Sequence, residues 1–118
     1  MRDHKKLRAF ELADQVVMEV YRTTRAFPQE ELFGLTSQVR RAAVSTASNI
    51  VEGCARYSEA DFLRFLDMSY GSSKEVEYQL AIAERLGYSH ELADVRKMCD
   101  ETAKVLNGLI RSIRSPKD

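Results

Sequence analysis

Gln38-Val39-Arg40-Arg41-Ala42-Ala43-Val44-Ser45-Thr46-Ala47-Ser48-Asn49-Ile50-Val51-Glu52-Gly53 carries two stripes at helical spacing. Residues three and four apart lie on one face of a helix. Leu35, Val39, Ala43, Thr46, Ile50 and Cys54 therefore form an apolar stripe, and Gln38, Arg41, Ser45, Asn49, Glu52 and Arg56 form a polar one. The two stripes lie about a quarter to a third of a turn apart. The first predicts a helix packed on a core. The second is an ordered row of amides, guanidinium, hydroxyl and carboxylate.

The same period extends outward on both sides. Leu7, Phe10, Ala13, Val17, Val20, Tyr21 and Thr24 predict a first helix over about residues 5–25. Phe27-Pro28 ends it, because proline disfavours helix at the residue before it. Gln29 to Gly34 form a connector with room for one helical turn. The second helix spans about residues 35–56, where Gly53 fits a frayed or tightly packed last turn. Ser58 is an N-cap, with Glu59 and Asp61 in the following turn. A third helix over about residues 59–86 has its seam at Phe62, Phe65, Leu66, Ser69, Ser73, Val76, Leu80, Ala83 and Leu86, and Gly87 closes it. Gly71 with Ser69, Ser72 and Ser73 makes a narrow waist for a neighbouring helix. A fourth helix over about residues 90–113 has Leu92, Val95, Cys99, Thr102, Leu106, Leu109 and Ile113 as its seam, and residues 115–118 form a frayed tail. No segment alternates as a strand does. The expected fold is all-α, one antiparallel up-down-up-down four-helix bundle over residues 1–118.

The totals agree. A chain of 118 residues supports one domain. Its 18 basic residues balance 18 acidic ones, which argues against a strongly basic nucleic-acid module and leaves room for a local patch. No apolar run is long enough to span a bilayer and Met1 to Lys6 lack a signal-peptide core, so a cytoplasmic location with no membrane partner is expected. Cys54 and Cys99 would sit at different heights of the bundle, so both are read as small buried hydrophobes.

Three constellations qualify as surfaces or networks. The polar residues Gln38, Arg41, Ser45, Asn49 and Glu52 would meet the serine waist, Glu75 and Gln79 of the third helix in a network that fixes register, with Arg41 beside Glu75 and Glu52 near Arg8 or Arg56. The competing readings are a partner-facing row or a plain solvated face. Val44, Ala47 and Val51, joined by Tyr70, Tyr78 and Ile82, lie off the main seams and suggest a subunit interface; isolated exposed valines are the bland alternative. Finally, an up-down-up-down bundle gathers Arg2, Lys5, Lys6, Arg8, Arg56, Arg64, Arg111, Arg114 and Lys117 at one end, against Asp3, Glu11, Glu52, Glu59, Asp61 and Asp118. Lys5, Lys6, Arg8, Arg56, Arg111 and Arg114 are the candidate phosphate contacts there. The alternative is that they solubilise chain ends and complement a helix dipole.

Catalytic readings find no support. His4 and His90 have no Glu-x-x-His partner, zinc spacing is missing, the glycines form no phosphate loop, and neither Ser45 nor Cys54 has an activating base. No catalytic residue, metal, cofactor or small-molecule substrate is expected, and the chain is read as a non-enzyme.

The residues do resemble a known family. Phe27-Pro28, Glu31 and Gly34-Leu35 precede Gln38-x-x-Arg41-Ala42-Ala43-x-Ser45-x-x-x-Asn49-Ile50-x-Glu52-Gly53. Arg56, Phe62, Phe65-Leu66, Gly71-Ser72, Glu75, Glu77, Gln79-Leu80 and Leu86-Gly87-Tyr88 follow. This pattern, from about Phe10 to Ile110, is similar to the bacterial four-helix-bundle family found as open reading frames in intervening sequences of large-subunit ribosomal RNA genes. The resemblance implies an up-down-up-down bundle and a ring-like homopentamer. It also implies distant kinship with the accessory proteins of diversity-generating retroelements, basic barrel-shaped pentamers that bind nucleic acid and a reverse transcriptase. The neutral charge of this chain departs from theirs. The expectation is a non-catalytic oligomeric scaffold or adaptor engaging RNA, DNA or a nucleic-acid enzyme; the alternative is a purely protein-binding oligomer.

Overall fold

Four helices, α1 (Arg8–Thr23), α2 (Leu35–Cys54), α3 (Glu59–Arg85) and α4 (Leu92–Arg114), follow one another, with no strand among the described residues. The computed structural model describes residues 1–115. Pro116, Lys117 and Asp118 lie outside the described residues, and with them most of the tail and two charges assigned to the basic end.

Cross-helix contacts fix the directions. Along α2 the partners on α3 fall in number as the position rises: Ser45 Oγ meets Ser72 Oγ at 3.0 Å, Ser69 Oγ donates to the Thr46 carbonyl at 2.6 Å, and Gly53 faces Phe62 and Phe65. Arg96 near the start of α4 reaches Glu84 near the end of α3, while Arg114 at the end of α4 reaches Asp67. Arg40 of α2 bonds Thr24 just beyond α1. Successive helices are thus antiparallel, in a rod of 51 × 22 × 19 Å.

Two core clusters stack along this rod. Val20, Val39, Val76, Leu80 and Val95 centre one, and Ala13, Ile50, Phe62, Leu66 and Leu106 the other. Cys99 belongs to the first and Cys54 to the second; both are free and buried.

The ends have local causes. Ser58 Oγ accepts from the Asp61 amide at 3.1 Å and starts α3. Gly87 ends it at φ +73°: its amide bonds the Glu84 carbonyl at 3.0 Å and the Tyr88 amide bonds the Ala83 carbonyl at 3.0 Å, a Schellman closure. The Arg2 amide bonds the Cys54 carbonyl at 2.8 Å, one of the carbonyls a helix end leaves without an internal partner. The Arg2 guanidinium lies 4.0 Å from the Phe62 ring centroid.

Several sequence expectations need correction. His4–Lys6 forms a 3-10 turn, so α1 starts at Arg8 rather than Lys5, and after Thr23 a second 3-10 turn, Thr24–Ala26, replaces its predicted last residues. Its core stripe is rotated by about one position. Ala9, Leu12, Ala13, Val16, Val20 and Thr23 are buried, whereas Phe10 and Val17 are half-buried and Tyr21 is exposed. Leu86 is 56% exposed because the chain turns at Gly87, and Tyr88 packs on the core instead. Gly71 faces open space: a Cβ there would meet nothing within 4 Å. The close approach lies at Gly53, where a Cβ would come within 2.9 Å of Phe65 Cβ.

Candidate interaction surfaces

The polar stripe of α2 divides into a small bonded cluster and an exposed row. Asn49 Nδ2 donates to the Ser45 carbonyl at 2.9 Å and to Ser45 Oγ at 3.1 Å, and Ser45 Oγ meets Ser72. On α3, Gln79 Nε2 donates to Glu75 Oε2 at 3.3 Å, while buried Gln79 Oε1 has no partner. Gln38, Arg41 and Glu52 are exposed. The anticipated buried pair of Arg41 with Glu75 is not formed: both side chains are solvated and border one groove. Glu52 pairs with neither Arg8 nor Arg56. Arg8 is bonded to Glu101 at 2.8 Å, and Arg56 stacks 4.7 Å from the Phe65 ring centroid. The register of α2 on α3 is therefore set by serine hydroxyls and the close approach at Gly53, with no ion pair between the two helices among the described residues.

The outer face of α1 and α2 carries two grooves. One, ≈ 390 Å³, runs between Phe10, Asp14 and Val17 of α1 and Val44, Ala47 and Val51 of α2. Val44 also borders the second, ≈ 780 Å³, with Tyr21, Gln38, Arg41, Ser45 and Glu75 around it. Val44 is 39% exposed, and Ala47 and Val51 are half-buried. The three valine and alanine positions singled out as apolar overflow thus lie together in a groove. Tyr70, grouped with them from sequence, packs against the bundle's own core. Tyr78 is 64% exposed on α3, and Ile82 is half-buried. Phe10, Val17 and Tyr21 complete the face from α1. Sequence reasoning assigned them to the core; the competing Ala9, Leu12, Val16 stripe was the signal that they border it.

The basic end is thinner than its sequence count. Arg8 is paired with Glu101, Arg114 with Asp67, Arg64 with Asp61 and Arg2 with Glu59. Lys5, Lys6, Arg56 and Arg111 are exposed and have no carboxylate within ion-pair distance among the described residues.

At the opposite end a polar latch joins two connectors. Glu31, in the 3-10 turn Gln29–Glu31, accepts the Leu35 amide at 3.0 Å with one carboxylate oxygen and the Tyr88 hydroxyl at 2.8 Å with the other. The amide of Leu35, at the positive end of α2, and then the tyrosine hydroxyl hold the Glu31 carboxyl below its ordinary range. The bond to Glu31, and then burial, raise Tyr88 above its own. Burial pushes the Cys99 thiol up to about 12 and raises Cys54 as well. Among the described residues, no three His, Cys, Asp or Glu side chains cluster as a metal site, and no helix is long and apolar enough to cross a membrane.

The fold and these surfaces define an antiparallel four-helix bundle with one grooved apolar face. Over residues 5–108 the chain matches the family model described as 23S rRNA-intervening sequence protein. It belongs to that family. A crystal structure from Bacteroides thetaiotaomicron, described as a protein of unknown function from the S23 ribosomal protein family, has the same fold, with a TM-score of 0.80 at 22% identity, over 87% of this chain and 95% of that one. No curated protein matches the chain.

Proposed function

We propose that this protein is a non-catalytic scaffold that assembles into a homopentamer through the outer face of α1 and α2. The observation that carries the proposal is the continuity of the two grooves at Val44, with Phe10, Val17, Ala47 and Val51 along the apolar one. A contiguous apolar depression with polar rims on an otherwise charged helix pair fits association better than solvation. Within the ring, each copy would add Lys5, Lys6, Arg56 and Arg111 to one end. That repeated charge supports engagement of RNA, DNA or a nucleic-acid enzyme.

Fluorescence anisotropy with structured RNA and DNA across a salt series tests the nucleic-acid part. Affinity should fall steeply with salt, and neutralising Lys5, Lys6, Arg56 and Arg111 together should abolish it while helicity is retained. Absence of binding at low salt would favour the second reading, a purely protein-binding oligomer. That reading draws support from the pairing of Arg8 and Arg114 within the chain.

A further inference from the structure

Arg40 is fixed from two sides and has no counter-ion among the described residues. Its Nε donates to Thr24 Oγ1 at 2.9 Å. The Thr24 hydroxyl proton is itself engaged by the Val20 carbonyl at 2.7 Å, which leaves an oxygen lone pair for Arg40. On the other side, the guanidinium carbon lies 4.8 Å from the Tyr21 ring centroid. No carboxylate among the described residues lies within ion-pair distance of Arg40 or of Arg25. The result is a half-buried guanidinium, already oriented, whose two terminal nitrogens remain available as a fork.

Both arginines line a groove of ≈ 230 Å³ with Pro28, Gln29, Leu32 and Thr36. Thr36 is only 3% exposed, borders this groove, and makes no side-chain hydrogen bond with another described residue. Glu30 and Glu31 are the nearest carboxylates in sequence, and neither lines the groove. Glu31 is already engaged by Leu35 and Tyr88.

We propose that this groove binds a small dianionic phosphate monoester. Two guanidinium groups match two negative charges, whereas a single carboxylate would leave one unmatched. The terminal nitrogens of Arg40, with Arg25, Gln29 and Thr36, supply donors to three phosphoryl oxygens, and Pro28 and Leu32 border the ester carbon. At about 30 Å³ per liquid water, the space takes a phosphoryl group and a few further heavy atoms. The site lies at the end opposite Lys5, Lys6 and Arg111 and is independent of the scaffold reading.

NMR titration of the full chain with inorganic phosphate, at constant ionic strength in chloride, tests the assignment. Saturable shifts are expected at the Arg40 Nε–H and at Thr36. Dimethyl phosphate, a monoanion, should bind about tenfold more weakly, and inorganic phosphate should weaken in the same way as falling pH converts its dianion to the monoanion. Arg25→Gln removes an exposed charge and leaves the fold intact, so its expected loss of about tenfold in affinity reads the site directly. Thr36→Val should weaken binding in the same direction. The proposal is overturned by shifts confined to Lys5, Lys6 and Arg111, by no saturable shift at Arg40 and Thr36, or by unchanged affinity in Arg25→Gln. Equal affinity for dimethyl phosphate would also overturn it.

Discussion

The Tyr88 hydroxyl donates to Glu31 Oε2 at 2.8 Å and joins two connectors 57 residues apart. The other Glu31 oxygen accepts the Leu35 amide, and Tyr88 packs on Phe27 with ring centroids 5.7 Å apart. Gly34 is part of the same arrangement, because a Cβ there would lie 2.7 Å from Glu31 Oε1. Phe27-Pro28, Glu31, Gly34-Leu35 and Leu86-Gly87-Tyr88, separate pieces of the family pattern in sequence, thus meet at one end of the bundle. Their shared role is to anchor the start of α2 to the turn between α3 and α4.

The latch predicts a pH window. Glu31 is lowered on folding, so its contribution is complete above the unfolded value of about 4.3 and lost as pH falls through the folded one. Tyr88 is raised, so its contribution is present below about 10 and lost as pH rises through its folded value. Thermal melts of wild type and Glu31→Gln should differ at neutral pH and converge in acid. A gap that persists unchanged through the carboxyl range would rule the latch out.

Gly53 and Gly71, in α2 and α3, should respond in opposite directions. Gly53→Ala forces a Cβ against Phe65 and should cost about 1–3 kcal/mol. Gly71→Ala meets open space in mid-helix and should stabilise by about 0.5–1 kcal/mol. Denaturant melts of both variants check this; equal effects would show that Gly53 is not in a close approach.

Arg41→Met should change the stability of the isolated chain by no more than about 0.5 kcal/mol, since Arg41 is solvated and has no ion-pair partner among the described residues. Ser69→Ala removes a buried bond to the Thr46 carbonyl and should cost about 1 kcal/mol. A larger loss at Arg41 than at Ser69 in thermal melts would restore an ionic lock between α2 and α3.

How far these features were legible differs by type. The helices were, because a 3.6-residue period is local, and so were the Ser58 and Gly87 ends, which use neighbouring residues. The α1 stripe was displaced because Phe10, Val17 and Tyr21 compete with Ala9, Leu12 and Val16 for one apolar face. Periodicity measures the width of that face, and the positions of α2 and α4 decide its centre. Exposure of Arg41 and Glu52 likewise depends on the rotation of α2 between α1 and α3. The Glu31–Tyr88 bond left no local trace, since each residue has an ordinary reading in its own segment.

Both thiols should resist modification in the folded protein. Cys99 is held at about 12 by burial and Cys54 is raised for the same reason, so neither presents a thiolate near neutral pH. A chromogenic disulfide reagent should titrate no thiol natively and both after unfolding in guanidinium. Rapid native reaction of Cys99 would contradict its place in the core.

Assembly through the face of α1 and α2 is tested most directly by light scattering coupled to size exclusion, on wild type and Val44→Glu, with circular dichroism as the folding control. A charge at this 39% exposed position leaves the bundle core untouched and places a carboxylate in the apolar groove. The expected result is a five-chain mass for wild type and a one-chain mass for Val44→Glu, with equal helicity. A single-chain wild type, or a Val44→Glu variant that keeps the wild-type mass, would contradict the account.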